Sequence, residues 1–167
     1  MPKDKDHNNV IGDIHNHQDD TNHGVKKQET YKPVDQLTPR YRDLFAAMLH
    51  EDDNIANEAY DNVLFERKLA VPYLCNQYEL AHTKTAQDRK LRYFCIQLLG
   101  FSGAKNSQKI VLQALSDEDA HVRKEALYAV EDLKLKSATD HVRNRLQDLD
   151  PDVRRVAQEV YDYLLSM

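Results

Sequence analysis

Asp119-Ala120-His121-Val122-Arg123, followed by Ala126, Val130 and Leu133, returns as Asp150-Pro151-Asp152-Val153-Arg154, followed by Ala157, Tyr161 and Leu164. Val122 and Val153 stand 31 residues apart, and every matched position keeps that offset. One step back, Asp88, Leu91, Arg92, Cys95 and Leu99 keep the order: an acidic cap, an apolar-Arg pair, a small residue, then a large apolar one. Internal repetition at such a period is the mark of stacked supersecondary units. A fainter earlier copy is Ala59, preceded by Asp53 and Ile55.

Each copy reads as a one-sided helix. Val122, Ala126, Ala129, Val130 and Leu133 share one face, as do Val153, Val156, Ala157, Val160, Tyr161 and Leu164. Between them, Val142, Leu146 and Leu149 suggest a second, shorter helix, and in the preceding repeat Ile110, Val111, Leu112 and Leu115 fill the same role. A pair of one-sided helices cannot close its own core, so successive pairs must stack along a continuous apolar seam. Small residues at Cys95, Ala126 and Ala157 suit the close approach this needs. Asp119 and Asp150 read as helix N-caps, with Pro151 in the first turn. Gly100 and Gly103 read as turn residues that let paired helices reverse direction.

Upstream, Thr38-Pro39 reads as a helix start. Leu44, Phe45, Met48 and Leu49 predict one helix, and Ile55, Ala59, Val63 and Leu64 a second. Leu69, Tyr73, Leu74 and Tyr78 predict a third, a polar loop follows from His82 to Gln87, and a fourth helix should run from about Gln87 to Leu99. Residues 1–35 are rich in Asp, Asn, His, Gln and Lys, with too few apolar residues to offset their ordering entropy. They are expected to form a disordered tail, leaving 36–167 as the folded unit.

These residues resemble the HEAT-like repeats associated with phycobilisome lyases and with bacterial stand-alone HEAT-repeat proteins. The resemblance rests on Leu98-Leu99-Gly100-Phe101-Ser102-Gly103 through Leu115-Ser116-Asp117-Glu118-Asp119-Ala120-His121-Val122-Arg123 and Ala126-Leu127. It continues in Leu146-Gln147-Asp148-Leu149-Asp150-Pro151-Asp152-Val153-Arg154. It implies an all-α fold, a short right-handed α-α superhelix or HEAT-like solenoid. It also implies that Arg92, Arg123 and Arg154 pair with Asp88, Asp119 and Asp150 as an exposed inter-repeat ladder, each rung contributing roughly 0–1 kcal/mol. The second helices of the family line the concave surface, which puts Pro72, Asn76, Lys109, Gln113, Asp140 and Asn144 forward for partner contact.

Composition narrows the function. The 167 residues carry a formal charge of -5 with 31% charged residues, spread thinly and not massed in one long acidic block, a balance that gives no electrostatic footprint for nucleic acid. No apolar run is long enough for a bilayer crossing, and the polar start lacks a signal peptide's apolar segment, so a cytoplasmic location is expected. Cys75 and Cys95 fall in apolar helical patterns and read as inert core thiols. His7, His15, His17 and His23 lie among Asp13, Asp19 and Asp20, a donor set that suits a transition metal weakly, without the spacing of a structural site. His50-Glu51 resembles one of the His-Glu pairs of the deoxyhypusine hydroxylases, but one pair cannot hold a di-iron centre, and His50 reads instead as a helix end. Neither a nucleophile motif nor a phosphate loop nor a Cys-x-x-Cys occurs, so catalysis has no positive support and no cofactor is expected.

The leading expectation is a protein-protein interaction module or scaffold, with a protein partner on the concave face. The resemblance also implies a bilin-lyase-like or chaperone-like protein acting on a chromoprotein, or DNA binding by a HEAT-like fold. The last helical copy has no second helix before Met167, an uncapped end that suits either a homodimer through the C-terminal repeat or, equally, a covering of polar residues on its outer side, as terminal caps have.

Overall fold

The computed structural model describes residues 38–82 and 85–167. The expected tail, with His7, His15, His17 and His23, lies outside the described residues. Eight α-helices follow one another there: α1 (Pro39–Ala47), α2 (Asp53–Phe65), α3 (Arg67–Leu80), α4 (Ala86–Ser102), α5 (Gln108–Ala114), α6 (Ala120–Asp132), α7 (Thr139–Arg145) and α8 (Pro151–Ser166). Single 3-10 turns at Lys105–Ser107 and Lys136–Ala138 lead into α5 and α7. The fold is all-α, as the periodicity predicted.

Local chemistry sets most helix starts. The Asp119 carboxylate accepts from the backbone N–H groups of His121 (2.8 Å) and Val122 (3.3 Å), and that of Asp150 from Asp152 (2.9 Å) and Val153 (3.0 Å). Thr38 caps α1 and Asp52 caps α2. For α4 the cap is Thr85: its hydroxyl accepts from the Asp88 N–H (3.1 Å) and donates to the Asp88 carboxylate (2.6 Å), so Asp88 closes the first turn and does not start it.

The long helices α4, α6 and α8 pack side by side, while α3, α5 and α7 each pack on the long helix that follows. The seam between the two rows holds Cys95, Ile96, Leu98 and Leu99 of α4, Val122, Ala126, Leu127 and Val130 of α6, and Val153, Val156, Ala157, Val160 and Leu164 of α8, all buried. Cys75 and Cys95 are fully buried, and burial pushes the Cys75 thiol up to about 12 and raises Cys95 as well, so both stay protonated.

Three apolar assignments fail. Leu149 is 95% exposed, because α7 ends at Arg145 and Leu149 belongs to the turn before α8. Leu69, in the first turn of α3, is 72% exposed, and Ile55, in the first turn of α2, is also exposed; both precede the stretches of their helices that pack.

The two turn glycines divide their roles. Gly103 is the C-cap of α4 with φ +66°, the left-handed conformation that glycine adopts without strain. One repeat on, the same conformation recurs at Lys134 with φ +52°. Gly100 is not a turn residue. It lies inside α4, and a Cβ placed on it would meet the Ala129 Cα and Cβ and the Asp132 carboxylate, each at 3.1 Å. Its missing side chain lets α4 approach α6.

Candidate functional site: repeated clefts at the turn edge

The three arginines at the repeat interval sit within the first two turns of their helices, and each reaches for a turn. The Arg92 guanidinium donates to both Asp117 oxygens, from Nε (2.9 Å) and Nη2 (3.1 Å), to the Ala81 carbonyl from Nη1 (2.7 Å), and to Glu118 (3.4 Å). Asp117 also accepts from the Tyr78 hydroxyl (2.8 Å) and from the Asp119 N–H (2.9 Å). One repeat later Arg123 donates to both oxygens of Asp148 (2.9 and 2.7 Å) and to the carbonyls of Asp117 (2.9 Å) and Glu118 (3.1 Å). Arg154 keeps the backbone half of the pattern, donating to the carbonyls of Asp148 (2.6 Å) and Leu149 (3.0 Å).

An inter-repeat ladder therefore exists, but its acids are Asp117 and Asp148, not the expected Asp88, Asp119 and Asp150. Those three serve their own helix starts, Asp119 also meeting Arg89 of α4 (3.6 Å), and the arginine side chain spans to the turn of the next repeat. Nor is the first rung exposed: the side chains of Arg92 and Asp117 are 1% and 3% accessible. A pair so far from solvent belongs with buried ion pairs, where loss of one partner is costly. Burial pushes Asp148 up, but hydrogen bonds from Arg123 and from the Asp150 N–H, with Arg123 and Arg145 beside it, outweigh this and hold it below the usual carboxylate range.

Above each rung opens a cleft. The first, of about 240 Å³, is lined by Tyr78, His82, Arg92, Gln113, Ser116, Asp117 and Glu118. The second, of about 300 Å³, is lined by Asp117, Arg123, Asn144, Arg145, Gln147, Asp148 and Leu149. Five lining positions correspond across the repeat: Arg92 with Arg123, Gln113 with Asn144, Ser116 with Gln147, Asp117 with Asp148, and Glu118 with Leu149. The floor is internally paired. On the rim, the side chains of Gln113, Ser116, Asn144 and Gln147 make no hydrogen bond among the described residues.

Of the expected concave-face residues, the clefts gather Gln113 and Asn144. Lys109 and Asp140 are exposed on α5 and α7 outside the cleft walls, Asp140 pairing with Arg143 (2.9 Å). Pro72 and Asn76 are half-buried in α3. His50 follows α1, and its Nδ1 accepts from the Asp52 N–H (2.9 Å). Sequence reasoning missed the cleft residues Ser116, Glu118 and Gln147, although the matching Asp117 and Asp148 stand at the repeat interval and could have flagged them.

A second polar cluster lies between the long helices. Tyr60 of α2 donates to Gln97 (2.7 Å), Gln97 donates to the Tyr93 hydroxyl (3.3 Å), and both α4 side chains reach the carboxylate of Glu125 on α6, which is 7% exposed. Burial raises the Glu125 pKa; hydrogen bonds from Tyr93 and Gln97 oppose this, and Asp132 adds to it. A carboxyl group raised by folding binds its proton more tightly in the native state, so stability falls as pH climbs from the ordinary value of about 4.3 through the raised one. Glu125→Gln should remove that decline. Thermal melts of both forms from pH about 4 to about 8 should show the variant ahead near neutrality and the gap closing toward acid. A constant gap would mean that Glu125 keeps an ordinary titration in the fold.

No helix among the described residues is long and apolar enough to cross a membrane. A comparison with curated proteins gives no match to the chain. Residues 80–162 match the profile of HEAT repeats. That span runs from the end of α3 into α8 and contains both arginine-aspartate rungs and the closely packed rows of α4, α6 and α8. Residues 80–162 of this chain are HEAT repeats.

Proposed function

We propose that this domain is a protein-interaction module that receives a partner protein along the side of the short helices α5 and α7, with Gln113 and Asn144 at the contact. The observation that carries the reading is the recurrence of one cleft at the repeat interval, its floor paired and the rim side chains of Gln113, Ser116, Asn144 and Gln147 without a hydrogen bond among the described residues. Buried pairs that serve only stability have no need of uncommitted amides above them, whereas a repeated row of donors and acceptors is what a stacked-helix protein offers to a partner.

Site-specific photocrosslinking in cells tests it. A photoreactive residue at Gln113 or at Asn144 should give the same discrete adduct, and one at the exposed Gln158 of α8, whose side chain is engaged with Asp162 (2.9 Å), should not. Adducts of equal yield from all three positions, or from Gln158 alone, would move the contact away from the clefts.

A further inference from the structure

Resting on the contact surface just proposed, we propose that the two clefts take one extended peptide segment, with a basic side chain at Glu118 and an apolar side chain at Leu149.

The conformation follows from the rim. Gln113, Ser116, Asn144 and Gln147 present side-chain donors and acceptors in pairs, one pair per cleft, with no intramolecular claim on them among the described residues. Backbone N–H and C=O groups satisfy such a rim, and only an extended chain offers them sideways; a helix spends them internally.

Chemical preference follows from the corresponding rim position at which one cleft carries a charge and the other an apolar side chain. In the first cleft it is Glu118, whose side chain is 55% accessible. Its sole ion-pair contact is the 3.4 Å approach to Arg92, a guanidinium already held by Asp117. The cationic groups lining the clefts, Arg92, Arg123 and Arg145, all pair with Asp117 or Asp148. Glu118 is thus the rim charge least committed, and it favours a Lys or Arg. In the second cleft the position is Leu149, 95% exposed, which favours an apolar residue.

Spacing follows from packing. Neighbouring helices of a stack lie about 8–10 Å apart and an extended chain advances about 3.3–3.6 Å per residue, so the two side chains should stand about three positions apart.

The test is an array of synthetic nonapeptides of Gly and Ser, each carrying one Arg and one Leu at every separation and in both orders, probed with the labelled full chain. Binding should peak at a separation of about three and in one order only. Glu118→Lys should weaken the best peptide roughly tenfold and transfer preference to the array in which Glu replaces Arg. Leu149→Ser, at a site too exposed to affect folding, should flatten the Leu preference while leaving the Arg preference. Binding indifferent to separation, unchanged by Glu118→Lys, or absent from the whole array overturns the extended-peptide assignment. If crosslinks from Gln113 and Asn144 persist in that case, the contact surface stands and the form of its partner is what fails.

Discussion

Asp117→Ala is expected to be the most damaging single truncation at the turn edge, lowering unfolding free energy by about 3–5 kcal/mol. The carboxylate accepts four hydrogen bonds: two from Arg92, one from the Tyr78 hydroxyl and one from the Asp119 N–H. Arg92 is 1% exposed and cannot turn to water when its partner goes. It keeps the Ala81 carbonyl and the long contact to Glu118, so a nearly uncompensated cation stays in the interior while the Tyr78 hydroxyl loses its acceptor. Asp148→Ala should cost less, because Arg123 is 12% accessible and some of its charge can be met by solvent. Urea unfolding of both variants supplies the comparison. A loss below about 1 kcal/mol for Asp117→Ala would show that water reaches the pair.

Gly100→Val is expected to cost about 3 kcal/mol, at the upper end of what overpacking does. The first added carbon already stands 3.1 Å from the backbone Cα of Ala129, and the branched methyls have to enter the same gap. Only a separation of α4 from α6 makes room, and these two helices form the most extensive packing pair of the fold. Gly103→Ala is the control. Nothing lies within 4 Å of its added carbon, and its cost is the left-handed backbone alone, about 1–2 kcal/mol. Thermal denaturation should therefore separate two glycines that stand three residues apart. Equal costs would mean that α4 and α6 can slide to accept the bulk.

The contrast shows what was legible in the sequence. The helix rows, the caps at Thr38, Asp119 and Asp150, and the buried small residues Cys95, Ala126 and Ala157 follow from spacing along the chain, because each is decided within one turn of helix. Gly100 and the ladder acids are decided across the stack. Asp119 and Arg123 are near in sequence and invite pairing, yet the carboxylate is occupied by the first turn of α6 and the guanidinium meets Asp148, 25 residues on. The same holds at the candidate site. Gln113 and Asn144 could be chosen by aligning short helices, but the clefts around them are made by the turn that follows, and Leu149 looked like core until that turn was placed. Lys134 carries a similar lesson: it stands where Gly103 stands one repeat earlier and keeps the left-handed angle without the residue that signals it.

The arginines give the stack a property that its apolar seam lacks. Apolar packing between neighbours tolerates slippage, but Arg92 and Arg123 each lock a helix to the turn of the following unit through two parallel hydrogen bonds of fixed geometry. Opening any one of the three units that α3 to α8 form therefore orphans a charge in its neighbour, and the coupling between those units becomes large compared with what each could hold alone. A linear array in that regime exchanges its amide hydrogens as a single cooperative block and does not fray unit by unit from its ends.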